Sequence, residues 1–297
     1  MLNRELENEI FTVLSEKGIS PKLLGQTKWG RFEEFLTEHS PLQDGYAMVQ
    51  MGPDIDMVCL IAKELSVLHK TGFGLNPISA SANVFEVMTR WLSLASGYSK
   101  KIKPSSDEFQ MPTIAFLREE ICFTQNACLS TLQCHPRIVA SPLCQKLFAI
   151  VLCHNDMLSG NLMFNKTDET LRLIDFEYSG FNYAAADLAN LLCAVSESIL
   201  IAGKPQNVKV NFPSETVQLH LLSCYFGGIP ESEKDPLLAV LAGFVLADEL
   251  RWTIWNIIQE NQSTIPFDYC RCYNSRFSAY LDYKEMFALR MNRLVNE

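Results

Sequence analysis

The chain has 297 residues, 48% of them apolar, and a formal charge of −9 at neutral pH. The length is enough for a sizeable core in one large domain or two lobes, and the apolar share excludes a disordered chain. The acidic balance argues against a nucleic-acid or anionic-membrane partner, since both need excess basic charge. Ten cysteines lie at irregular spacings, with no Cys-x-x-Cys and no signal-like opening, and read as reduced thiols of a cytoplasmic protein.

Taken in order, Asn3 caps a first helix carrying Leu6, Ile10, Val13 and Leu14 at helical spacing, and Gly18 ends it. Lys22 to Leu36 reads as two strands around a turn near Lys28 to Gly30. Asp54 to Lys70 is an amphipathic helix, with His69 placed favourably at its C-terminal end. Val84 to Ser96 is a second, followed by a polar loop from Lys100 to Asp107. Thr113 to Cys134 and Pro142 to Ile150 are further helices. Leu188 to Ala202 is a largely apolar helix, Pro205 to Pro213 a loop, and Ser214 the cap of a helix that Gly227-Gly228 breaks. Leu237 to Glu260 is the longest helical pattern, and its longest clean apolar run, Leu237 to Ala247, is too short to span a bilayer. Cys270-x-Cys272 reads as helix surface and core rather than as a metal pair.

The chemistry concentrates between Val151 and Tyr178. Leu162-Met-Phe164 and Leu171-Arg-Leu-Ile174 are short apolar runs joined by a polar segment, the pattern of a hairpin. A hairpin brings the residues before its first strand beside those after its second, so Asp156 and Asn161 are expected next to Asp175 and Glu177, with His154 close by. Clustered carboxylates are tolerated when a cation or a substrate proton sits among them. Oxygen donors of this kind suit Mg²⁺ better than zinc. The plainer reading is a solvated turn whose Asp residues cap backbone amides.

His154-Asn-Asp156, Gly160-Asn161 and Ile174-Asp-Phe-Glu-Tyr178 resemble the catalytic segment of choline/ethanolamine kinases. The spacing of Asp156 to Asn161 also matches the catalytic loop of protein kinases. The resemblance implies a two-lobed, protein-kinase-like α+β fold, with a small-lobe remnant over residues 1–37 and a large helical lobe over 38–297. It implies ATP and Mg²⁺ in the cleft between lobes, and phosphorylation of the hydroxyl of choline or ethanolamine, the first step of phosphatidylcholine and phosphatidylethanolamine synthesis. Asp156 would accept the hydroxyl proton. Asn161 and Asp175 would hold the metal, and Glu177 would support the metal or the substrate amine. Glu34 and Phe35, at the end of the strands leading to the hinge, would contact the nucleotide. Trp252 and Trp255, three apart on one helical face, would line the ammonium pocket with Tyr178, because an aromatic wall suits a cation that cannot donate hydrogen bonds; without the resemblance such a pair reads as core. Asp187 and Asn190 would hold the catalytic loop through backbone amides. His154 is expected to be a structural partner of that loop.

Family members carry strands before the first helix that hold a phosphate-covering loop and a basic residue. Met1 to Glu5 resembles the sequence just after that residue, so a truncated small lobe is expected. The pocket also departs from the family pattern. Ala194 stands where an acid is usual, a Tyr is replaced near Ile199, and Asp248-Glu-Leu-Arg251 precedes the first Trp. Two other readings stay open: an impaired pseudokinase or regulatory subunit, and a kinase for another small amino alcohol. A homodimer, or a heterodimer with a complete relative, is compatible with each.

Overall fold

A computed structural model of the chain describes residues 2–71, 83–97, 112–201 and 212–296, without the side chains of residues 197–201. The expected loops at 100–107 and 205–213 fall wholly or largely outside these residues, as does the pocket side chain at position 199. Among the described residues the protein is α+β and mainly helical, with three small antiparallel sheets. Packing sorts the chain into two compact units, Met1–Ser81 with Ala149–Glu231 and Ala82–Phe148 with Ser232–Glu297.

The first unit opens with α1 (Arg4–Glu16), where the Asn3 side chain accepts from the Leu6 amide. Gly18 follows at φ 71°, the left-handed conformation glycine adopts without strain. Ile10, Phe11 and Leu14 form the buried stripe, with Phe11 rather than Val13 completing it because it lies one turn from Leu14 on the same face. Glu7 is also buried, and Arg4 at 2.6 Å and Arg31 at 2.8 Å offset its charge. Arg31 belongs to the hairpin of β1 (Leu23–Thr27) and β2 (Gly30–Glu33), which closes with Thr27 opposite Gly30. β3 (Ser40–Pro41), α2 (Gly45–Met48) and α3 (Met57–Lys70) follow. α3 starts later than its apolar pattern predicts because Asp56 is the cap, accepting from the Cys59 amide at 3.0 Å.

The second unit begins with α4 (Val84–Ser96), as its spacing predicts, and α5 (Ile114–Gln125). α5 runs on through a π-helical stretch, Asn126–Leu132, then come α6 (Pro136–Val139) and α7 (Pro142–Leu147). The chain returns to the first unit with β4 (Ile150–Cys153), β5 (Leu162–Asn165), β6 (Thr170–Leu173), β7 (Gly180–Tyr183), α8 (Ala184–Ile201) and α9 (Glu215–Phe226). β4 pairs with β7, while β3, β5 and β6 form the third sheet. α9 ends where expected, with Ser214 capping its start and Gly227 left-handed at its end.

α10 (Lys234–Gln262) and α11 (Tyr269–Asn296) complete the second unit. α10 is buried on nearly every face, and Phe244 packs between Phe85 and Phe148. Gly243 permits close approach to the π-helical stretch: a Cβ there would stand 2.7 Å from the Leu132 side chain and 3.1 Å from the Cys128 sulfur. On α5 the buried Glu120 accepts from Tyr280 and pairs with Lys284 at 2.7 Å. All ten cysteines are thiols, and Cys270 and Cys272 lie half-buried on α11. No described helix is long and apolar enough to cross a membrane.

Candidate active site

β5 and β6 form the expected hairpin, with Leu162 opposite Leu173 and Asn165 opposite Thr170. That register sets the residues flanking the hairpin side by side, and the Ile174 amide donates to the Asn161 carbonyl at 3.1 Å. Beyond it the chain turns sharply. Asp175 adopts φ 62° and ψ 68°, a left-handed conformation that Asp tolerates better than most residues, and leads into a 3₁₀ turn over Phe176–Tyr178. Asp175 is exposed there, while Glu177 and Tyr178 are half-buried.

The loop His154–Asn161 is held from below by the start of α8. Asp187, with no exposed surface, accepts from the His154 amide at 2.7 Å and from the Asn155 amide at 2.6 Å. Asn190 accepts from the Met157 amide at 2.6 Å. These are the backbone-holding roles that the resemblance implies for both. Asn155 has φ 66°, and its side chain donates to the Tyr178 carbonyl and accepts from Asn182. A loop residue in a rare conformation is thereby tied to both the Asp175 turn and β7.

Asp156 is nearly buried, and the Asn161 amide nitrogen donates to both its carbonyl, at 2.9 Å, and its carboxylate, at 3.2 Å. With the nitrogen so engaged, the side-chain oxygen of Asn161 remains as its acceptor. His154 donates from Nε2 to the Ile174 carbonyl at 2.9 Å, which leaves Nδ1 as the unprotonated nitrogen of a buried ring. Burial lowers its pKa, although Asp187 opposes that, so His154 is a neutral strut of the loop.

Glu177 has its pKa raised, first by burial and then by the Asp175 carboxylate, with Arg4 opposing at 3.3 Å. Two acids thus crowd one another after the hairpin whose other end carries Asn161, and carboxylates with an amide oxygen are the oxygen-only donor types that fit Mg²⁺. The contact of Arg4 with Glu177 had no motif to announce it. Nor did the packing of Phe176 between Phe11 of α1 and the His154 ring, at 6.3 and 4.9 Å between centroids, which anchors the Asp175 turn. His69 differs from its expected role at a helix end. It is buried, and its ring bonds Asp187 at 3.1 Å and Tyr225 at 2.7 Å. A carboxylate that takes two amides in the core needs that further partner. Glu34 and Phe35 follow β2. The Glu34 amide donates to the Lys22 carbonyl at 2.8 Å, and the Phe35 ring is exposed.

In the second unit, Trp252 and Trp255 share a face of α10 as expected, with centroids 5.4 Å apart, and Tyr269 stands 5.9 Å from Trp255. The acids before them are engaged by arginines. Asp248 meets Arg251 at 3.3 Å and Arg276 at 3.9 Å, and Glu249 meets Arg276 at 3.1 Å. The Arg251 guanidinium lies over the Trp252 ring at 4.7 Å.

The family model described as choline/ethanolamine kinase matches residues 1–281. Mouse (Mus musculus) choline kinase alpha is 28% identical over 94% of this chain, and the match spans only 60% of that protein's length. Ethanolamine kinase 2 of Rattus norvegicus is 27% identical over 98% of this chain and 69% of its own. Among solved structures, the ethanolamine kinase of Plasmodium vivax superposes with a TM-score of 0.75 at 22% identity, covering 98% of this chain and 75% of that one. The fold is therefore the α+β, protein-kinase-like one expected from the sequence.

Proposed function

Because the chain belongs to the choline/ethanolamine kinase family, we propose that it transfers the γ-phosphoryl group of ATP to the hydroxyl of choline or ethanolamine. The observation that carries this reading is the Asp156 carboxylate, oriented by the Asn161 amide in a loop that Asp187 and Asn190 hold by its backbone. A carboxylate so placed orients an acceptor hydroxyl and takes its proton as the new phosphate ester forms. Asn161, through its side-chain oxygen, and Asp175 would hold Mg²⁺, with Glu177 supporting the metal or the substrate amine. Bound Mg²⁺ supplies neutralisation of the phosphate charge. The protein's own part is positioning, and fixing the loop through buried acceptors removes the freedom that would blur it.

Glu34 and Phe35 are assigned to the nucleotide, and Tyr178, Trp252 and Trp255 to the ammonium group. Arg251 over Trp252 favours a second reading of specificity. A guanidinium on that ring competes with a quaternary ammonium, whereas a primary amine also finds hydrogen-bond acceptors, so ethanolamine or another small amino alcohol is the better fit. The deciding experiment is ATP turnover by the purified protein with Mg²⁺, comparing choline, ethanolamine and no acceptor. Acceptor-dependent turnover is expected, ranked by substrate. A folded protein that turns over ATP with neither acceptor overturns the choline/ethanolamine reading.

A further inference from the structure

A second group of donor side chains joins the first turn of α3 to α9. Asp56 uses Oδ1 to cap α3, and its Oδ2 meets His220 Nε2 at 2.6 Å. The Cys224 sulfur lies 3.7 Å from the same Nε2. One ligand atom from each of Asp56, Cys59 and Cys224 lies within 4.8 Å of the others. His220 and Cys224 are four apart on α9 and so project from one face. Asp56 caps α3 and Cys59 lies in its first turn. Two helices thus bring one oxygen, one nitrogen and two sulfurs to one place, where the Asp56 and His220 side chains keep 35% and 34% of their surface open to solvent.

We propose that Asp56, Cys59, His220 and Cys224 form a zinc site. Two thiols and an imidazole are the donors that select Zn²⁺ over Mg²⁺, and four such groups fill a tetrahedral shell. Zinc bonds of about 2.0–2.3 Å place tetrahedral ligands about 3.3–3.8 Å apart, so the observed 2.6 and 3.7 Å gaps need only small side-chain rotations. The cap bond from Cys59 to Oδ1 is the kind of outer contact that fixes a ligating carboxylate. An ion pair explains Asp56 with His220 alone, but not the two thiols gathered beside them. The other group of this kind among the described residues, His69, Cys153 and Asp187, is fully buried, and its carboxylate already accepts from the catalytic loop.

The test uses the reduced full-length protein, stripped by a chelator and titrated with Zn²⁺ and separately with Co²⁺. One zinc per chain is expected to be retained. Cobalt is expected to give tetrahedral visible bands and a thiolate charge-transfer band. A Cys59→Ser, Cys224→Ser double variant should lose both signals. His220→Ala, at a half-exposed position, should bind zinc about tenfold or more weakly, with its urea midpoint measured beside it. Substoichiometric zinc, an octahedral cobalt spectrum, undiminished binding by the variants, or a Cys59–Cys224 disulfide in place of bound metal would each overturn the site. None of these readouts is ATP turnover, so their failure is separate from failure of the kinase reading.

Discussion

The loop His154–Asn161 and the stretch Asp248–Trp255 of α10 both bury charge, and they manage it in opposite ways. In the loop, buried acceptors hold backbone amides. Asp187 takes two and Asn190 one, and the loop's own acid, Asp156, is oriented by a neutral amide. In α10, charges hold charges, with Asp248 and Glu249 against Arg251 and Arg276. A carboxylate fixed by a neutral donor keeps its capacity to take a proton or a cation. One paired with guanidinium is committed to the pair, and its removal strands a buried charge. Acids stand in both places, and their partners differ: neutral amides in the loop, guanidinium groups in α10.

The contrast breaks most visibly at Asp156. Asp156→Ala should lower acceptor-dependent ATP turnover about 10²–10⁴-fold, the usual range for a positioned acid or base. Its urea midpoint should stay near that of the parent protein. Turnover that survives the substitution would remove Asp156 from the mechanism. The second largest effect is expected at Asp187. Asp187→Ala strands the His154 and Asn155 amides and the His69 ring, and should cost about 3–5 kcal/mol in urea unfolding, as breaking a buried charged network does. Glu249→Gln keeps a hydrogen-bond acceptor for Arg276 and should cost less, about 1–3 kcal/mol. Equal losses at the two positions would erase the distinction between acids that hold a backbone and acids that hold a charge.

How far each region was legible in the sequence follows the same line. The hairpin is set by short-range pattern, so spacing announces it, while the loop-holding roles of Asp187 and Asn190 were what the resemblance to the kinase family implied. The caps of α1 and α9 were readable for the same reason. What spacing did not announce comes from partners far apart in the chain. Tyr225 reaches His69, Phe11 backs Phe176, Arg4 reaches Glu177, and Arg276 joins the acids of α10. α3 starts a turn's fraction later than its apolar pattern, because that pattern does not say which of two Asp residues caps. The apolar pattern does not announce the π-helical stretch, and Gly243, which packs against it, lies on a helix more than a hundred residues later.

Acid should weaken the loop through its buried histidine. Burial holds His154 neutral in the folded protein, with its pKa below the ordinary histidine value. Its contribution to stability is complete above the unfolded value of about 6.5, and is lost as pH falls toward the lowered folded value, because only the unfolded chain takes the proton. Asp187 acts in the same direction at lower pH. Burial alone would raise its pKa, but the hydrogen bonds from His69 and the Asn155 amide help outweigh that and lower it, so its contribution is lost as pH falls through the folded value. Stability should therefore fall between pH 6.5 and pH 5.5. Urea unfolding at the two pH values, repeated with His154→Gln, checks it: the variant should show a shallower slope. An unchanged slope would mean that the buried ring is protonated in the folded protein.

The smallest expected effect falls on the Trp252 ring and bears on substrate choice. If the Arg251 guanidinium occupies the face that an ammonium would use, Arg251→Met frees that face while Arg276 remains near Asp248. A cation–π contact is worth about 0.5–2 kcal/mol, so the KM for choline should fall about 2- to 30-fold. The KM for ethanolamine should change less, because a primary amine is also held by hydrogen bonds that a quaternary ammonium cannot make. An equal fall for both substrates would locate the effect in net charge rather than at the ring. A rise for choline alone would mean that Arg251 orients Trp252 for the substrate instead of competing with it. Steady-state kinetics on the two acceptors distinguishes the three outcomes, and each assigns a different role to the Arg251 guanidinium that α10 lays on its own aromatic face.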